Sequence, residues 1–238
     1  TQTAPYLIRS HDRISNPFST KYVRPGALPF QFTVTVDADS LVGDLRKNGW
    51  RGAVVGPHGS GKSTFLATFI PALQAAGVCT YLIALHDGQR HLPDNCPLSI
   101  PSSARRFPPA EIAGQFHPLN RTVLLPTLFI IDGFEQLSPF QRWRVVYRTR
   151  RQGHGLLVTV HRDRSAGKLP ILFRTTPDLQ TLEQLVAHLL IDCHASHHIG
   201  RNDIAVAYQT ASGNLREAIF KLFDIFEFRN RSGVFPRG

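Results

Sequence analysis

Apolar positions along this chain fall into two kinds of pattern. Short, nearly unbroken apolar runs lie at 51–55, 78–85, 127–131, 156–160 and 171–173. Runs this short between turn residues predict strands, and unbroken apolarity predicts burial on both faces. Between the runs, apolar residues recur every three or four positions, which predicts helices. Phe65, Leu66, Phe69, Ile70 and Leu73 predict a helix closed by Gly77, with a kink expected at Pro71. Over 138–152, Ser138 is the expected cap, Pro139 the first helical residue and Gly153 the stop. Phe140, Trp143, Val146 and Tyr147 are expected to form one apolar face of that helix. Three further helices are predicted after the last strand. They lie over 181–192, with Thr181 and Gln184 as a capping box, over 200–210, and from Leu215 onward, capped by Asn214 and Glu217. Upstream, the alternation over 30–36 predicts an edge strand, and 37–47 a short helix stopped by Asn48-Gly49.

Strands alternating with helices imply an α/β fold: a three-layer parallel sheet flanked by helices, followed by a small C-terminal helical part. The expected divisions are a wrapping segment and edge strand over 1–36, a core over 37–176, and helices and tail over 177–238. Residues 86–110 carry five prolines, Pro93, Pro97, Pro101, Pro108 and Pro109, and read as a long loop. A short helix is expected over 109–116.

Composition changes the picture in two places. The net charge is +10 and the pI near 10.2, so an anionic partner is expected beyond any small ligand: a protein or nucleic acid reached through a basic surface. Arg144, Arg148 and Arg151 fall along one stripe, which reads either as such a contact or as a solvated face. Three cysteines, Cys79, Cys96 and Cys193, are odd in number and far apart, which argues against a disulfide framework and for a cytoplasmic setting. No apolar stretch is long enough for a transmembrane segment. Cys193, His194, His197 and His198 cluster without matching a standard zinc spacing.

The candidate chemistry sits at strand ends. Gly56, Pro57, His58, Gly59, Ser60, Gly61, Lys62 and Ser63, followed by Thr64, fit the pattern G-x-x-x-x-G-K-[ST]. Glycines let the backbone curl so that several N–H groups face one anion, and the following helix adds its positive end. Lys62 is placed for phosphates and the Ser63 hydroxyl for a metal ion. Asp132 ends an apolar strand, where a carboxylate can meet the same ion directly or through water. Glu135 either orients a water or caps a helix. His161-Arg162 ends the fourth run, where Arg162 is placed to sense a terminal phosphate.

Taken together, these motifs resemble the P-loop NTPases of the additional-strand class, among them the AAA+ and signal-transduction ATPases. The resemblance spans about residues 40–229. In such proteins a sensor strand separates the phosphate-loop strand from the catalytic-aspartate strand, and a helical lid closes the nucleotide. The resemblance puts the phosphate loop at 56–63, Walker B at 127–132, the sensor strand at 156–162 and the lid at about 177–229. Asn16-Pro17-Phe18 is similar to the entry segment of AAA ATPases of the general secretory pathway. Ala211-Ser212-Gly213-Asn214-Leu215-Arg216-Glu217 looks like a lid motif whose arginine, Arg216, reaches the γ-phosphate. Asp132-Gly133-Phe134-Glu135 resembles the signal-transduction branch. Gly133 departs from the usual Asp-Glu pair.

The resemblance implies an ATP- and Mg²⁺-dependent ATPase. Lys62, Asp132, Glu135, Arg162 and Arg216 would be its catalytic residues, and Ser63 with Asp132 its metal ligands. A homo-oligomer is a further expectation, with Arg148, Arg150 and Arg151 as candidates to reach a neighbour's nucleotide. ATP rather than GTP follows from the resemblance and from the lack of a guanine-reading Asn/Thr-Lys-x-Asp motif. The alternative is a nucleotide-dependent nucleic-acid-binding or scaffolding protein with little hydrolysis; a small-molecule kinase is the third reading.

Overall fold

Five of the apolar runs become five parallel strands. The computed structural model describes residues 15–32, 36–94, 96–98, 127–192 and 198–232. They divide into a sheet unit, Pro29–Thr176, and a helical unit in which Thr1–Leu28 joins Pro177–Gly238.

In the sheet unit, β1 is Arg51–Val55, β2 Thr80–Ala84, β3 Leu128–Asp132, β4 Gly155–Val160 and β5 Ile171–Arg174. Two helices have four residues each, α1 (Thr20–Val23) in the helical unit and α5 (Asp163–Ala166) after β4. Their order across the sheet is β2-β3-β4-β1-β5, and every pairing is parallel. Side chains of a strand alternate between faces. Val54, Ile130 and Leu157 therefore join one core with Leu45 of α2 (Ala38–Lys47) and with Phe65 and Phe69 of α3 (Lys62–Ala75). Ala53, Val55, Ile131 and Val158 join the other core with Val145 of α4 (Pro139–Arg151). Helices on both faces explain why β1, β3 and β4 read as continuous apolar runs. β4 is central, and all six of its residues are buried. β2 is shorter than expected and sits at the sheet edge, so it is not buried throughout: Leu82 is half exposed.

No strand forms in the described part of 30–36; residues 33–35 lie outside it. The Phe30 amide instead donates to the Thr68 hydroxyl at 2.8 Å, and Phe30 and Phe32 set their rings edge-on against Phe65 and Phe173. The alternate rings of Phe30 and Phe32 thus enter a core beside α3 and β5, with no strand pairing among the described residues. On α4, the buried positions are Val145 and Thr149, not Phe140, Trp143 and Tyr147, which face outward. The Thr149 hydroxyl is satisfied inside by donating to the Val145 carbonyl at 2.9 Å, so a polar residue holds the core-facing line. Pro71 is exposed, and α3 continues four residues past it to Ala75.

The helical unit packs α6 (Leu179–Asp192), α7 (Arg201–Thr210) and α8 (Leu215–Ser232) around Leu182, Val186, Ile204, Leu222 and Phe226. α6 begins earlier than the sequence pattern suggests, because Asp178 and not Thr181 is its cap: the Thr181 amide donates to Asp178 Oδ1 at 2.7 Å. Asn214 caps α8 by accepting from the amides of Arg216 and Glu217. The N-terminal segment is fastened to this unit. Asn16 Nδ2 donates to the Phe223 carbonyl and to Glu227, each at 3.1 Å, and the buried Phe18 ring meets Phe226 edge-on. A largely buried pair, Arg229 and Asp203 at 2.6 Å, ties α8 to α7, and the guanidinium holds the Asp203 carboxyl below its ordinary pKa. His198 is buried with its ring stacked on Phe226. Cys193, His194 and His197, and the helix expected over 109–116, lie outside the described residues. Among the described residues no group of three potential ligands is placed to hold a metal ion, and no helix is long and apolar enough to cross a membrane.

Leu222 is fully buried in the helical core. Leu222→Ala is expected to cost about 2–5 kcal/mol there. Hydrogen exchange should show faster exchange at α6 and α8 amides.

Candidate functional site

Parallel strands in register bring their C-terminal ends to one edge. Val55 is paired with Val160, Ile131 with Val158, and Val55 on its other side with Arg174. The residues that follow therefore meet: Gly56, Asp132, His161 and Thr175.

The loop after β1 is seated tightly. The Gly56 amide donates to the Val160 carbonyl at 3.1 Å. A Cβ on Gly56 would lie 1.9 Å from Thr175 Oγ1, so only glycine fits against that hydroxyl. The Ser60 and Thr175 hydroxyls are hydrogen-bonded at 2.6 Å, both buried, and the Thr175 amide donates to the Val55 carbonyl at 2.8 Å. Pro57 and His58 are exposed at the crest. Gly59 and Gly61 take φ of 69° and 86°, the left-handed region that glycine enters without strain. Gly61 opens α3 with no side-chain cap. The first-turn amides of Lys62, Ser63 and Thr64 thus have no acceptor within the helix, and they add to the positive helix end. An arrangement of this kind can cradle an anion.

Lys62 is buried, and its ammonium donates to the carbonyls of Gly56 and Pro57, each at 2.7 Å. Burial lowers its pKa, while Glu135 and Asp132 act against that shift.

Asp132 is shared. Its Oδ2 accepts from Ser63 Oγ at 2.7 Å, and its Oδ1 accepts from Thr159 Oγ1 at 2.5 Å. Thr159 Oγ1 in turn accepts from the Gly133 amide at 2.9 Å. Gly133 has φ of 80°, and a Cβ there would come within 3.1 Å of the Leu85 carbonyl. An acid at this position would be strained, which gives a local reason for glycine after Asp132. Sequence reading passed over Thr159 and Thr175. The available signal for Thr159 was a lone hydroxyl inside the buried run Leu156–Val160, since buried polar groups need partners.

Glu135 lies in a 3-10 turn, Phe134–Gln136, directly after β3. Both carboxylate oxygens are sealed from solvent, and neither has a well-aligned hydrogen-bond partner among the described residues. His161 Nδ1 lies 3.0 Å from Oε1. That distance alone describes an ion pair, but burial drives both groups toward neutrality. It raises the pKa of Glu135. It also lowers that of His161 to about 4, with the charges of Lys62 and His58 adding to the effect. The His58 ring covers His161, their centroids 3.4 Å apart. His161 is therefore the residue of its strand end that turns toward Glu135. Arg162 is exposed in extended backbone, at the start of a four-residue helical turn, Asp163–Ala166. Arg216 is exposed in the first turn of α8, in the helical unit.

The donor set suits a phosphate-bound divalent cation. Ser63 Oγ and Asp132 Oδ2 are adjacent hard oxygens, and the first-turn amides beside them are suited to an anion.

Two titrations test this description. His161 is expected to titrate near 4, and in Lys62→Met its midpoint should move back toward 6.5, as followed by NMR of the imidazole. Between those values the unfolded chain binds a proton that the folded protein refuses, so this group makes stability fall as pH drops from 6.5 toward 4. Glu135 runs the other way: its contribution is complete below 4.5 and is lost as pH rises through its raised value.

No protein-family model matches this sequence, and no curated protein matches it.

Proposed function

We propose that this chain binds MgATP and hydrolyses it, as a P-loop NTPase of the AAA+ and signal-transduction kind whose helical unit serves as a lid. The observation that carries the reading is the Ser63–Asp132–Thr159 chain of hydrogen bonds beside a loop with Lys62 at its base. The sheet order supports it as well, since β4 lies between the loop strand and the aspartate strand, as the resemblance implies.

In this reading the first-turn amides and Lys62 hold the β- and γ-phosphates, and Ser63 and Asp132 hold the metal. Bound Mg²⁺ would supply charge neutralisation and Lewis-acid polarisation of the terminal phosphate. Thr159 fixes the orientation of Asp132. Glu135 takes the role of the group that positions a water and accepts its proton, a role suited to a buried carboxyl with a raised pKa. Arg162 and Arg216 are the arginines assigned to the γ-phosphate. Exposed Arg150 and Arg151 are the candidates to act across a homo-oligomer; the Arg148 guanidinium already donates to the Leu98 carbonyl.

One observation favours the second reading, a nucleotide-bound scaffold with little turnover. Both oxygens of Glu135 are closed off beside His161, and Gly133 takes the place of the second acid of the usual pair.

Lys62→Ala should abolish nucleotide binding with the fold retained; unchanged ATP affinity in that variant would remove the proposed site. Glu135→Gln should retain MgATP binding and lose about 10²–10⁴-fold in phosphate release. Binding without turnover in both the parent and Glu135→Gln would select the scaffold reading.

A further inference from the structure

Helix α4 carries an aromatic line that the nucleotide reading does not use. Phe140, Trp143 and Tyr147 are 64%, 60% and 48% exposed. They follow i, i+3, i+7 and so form one line along the helix. The rings touch in series: Phe140 and Trp143 have centroids 6.1 Å apart at 29°, Trp143 and Tyr147 5.4 Å apart at 12°. Other exposed large apolar residues, such as Leu82, Ile191 and Val206, belong to separate elements; scattered single residues of that kind need no explanation.

The setting of the line is basic. At 100° per residue, Arg144 and Arg151 lie along one side of it and Arg150 along the other. Arg150 and Arg151 are exposed, and Arg151 donates to the Tyr147 hydroxyl at 3.1 Å, which holds its guanidinium beside the ring. The helix contains no Asp or Glu. Its outer face thus offers aromatic surface and positive charge together.

We infer that the outer face of α4 binds a single strand of nucleic acid, its bases against Phe140, Trp143 and Tyr147 and its phosphates against Arg144, Arg150 and Arg151. Charge selects the occupant. A second copy of this chain meeting the face symmetrically would bring arginines against arginines, whereas a phosphodiester strand supplies one anion per base. A duplex offers phosphates but keeps its base faces stacked inside, so the aromatic line selects for an unpaired strand. The net charge of +10 favours the same encounter at long range. This inference does not depend on the nucleotide reading.

The test is fluorescence anisotropy of a labelled oligothymidylate with the full chain, across a salt series, beside the matching duplex. The strand should bind more tightly than the duplex and quench tryptophan emission. The paired change Trp143→Ala, Tyr147→Ala should weaken strand binding by at least about tenfold while leaving the salt dependence in place. Replacing Arg144, Arg150 and Arg151 by Gln should flatten the salt dependence by about two units of slope. All these positions lie on the outer side of α4, and unchanged circular dichroism checks the fold. The inference is overturned by any of four results. These are no strand binding at low salt, equal affinity for duplex, strand binding untouched by the aromatic changes, or self-association or anionic-vesicle binding that those changes abolish while strand binding persists.

Discussion

The site depends on one shared carboxylate. Asp132 ends β3, yet its two oxygens are committed to groups from two other segments, Ser63 at the head of α3 and Thr159 in β4. A parallel sheet brings three strand ends together but does not set the rotation of a side chain at those ends. Two charge-assisted hydrogen bonds set it here, and such bonds are stronger than neutral ones. Thr159 sits between the two halves of the arrangement: the same hydroxyl donates to Asp132 and accepts from the Gly133 amide. The direction of the strand's last carboxylate and the path of the chain leaving it are therefore decided together.

Around that carboxylate lie groups that would be charged in water and are held back by burial. Lys62, Glu135 and His161 are each shifted toward neutrality, and desolvation is the largest cause in all three. Their proximity also couples them. The ammonium of Lys62 opposes protonation of His161 and favours the ionised form of Glu135. A change of charge at Lys62 therefore acts through space on Glu135 and His161.

Much of the sheet was legible because burial on both faces leaves a plain trace, an unbroken apolar run. The loop was legible because its glycines meet needs that few other residues satisfy. Gly59 and Gly61 need positive φ, and Gly56 has Thr175 against it. Three other features left weaker traces. Thr159 and Thr175 act through single hydroxyls, and a threonine in a strand is also an ordinary β-former. Over 30–32 the alternation is real, since Phe30 and Phe32 both turn inward among rings, but it carries no strand pairing among the described residues, which periodicity alone does not reveal. That the aromatic line of α4 faces outward was not legible, because aromatic residues mark burial on average. Only packing shows that Val145 and Thr149 occupy the inner line while three rings are left outside.

The fastening of Asn16 and Phe18 to α8 has a consequence for how the chain is made. The bond from Asn16 to Glu227 spans 211 residues of sequence. Synthesis runs from the N-terminus, so the opening segment emerges with its apolar ring and its amide while their receiving helix is still untranslated. The whole sheet unit is produced in the interval. A chain halted before α8 holds Phe18 without its native cover, the kind of exposed surface that recruits chaperones. Once the last helix arrives, the helical unit is connected to the sheet unit by two covalent crossings, at 28–29 and at 176–177. A single protease cut at either crossing then leaves the other still joining the two.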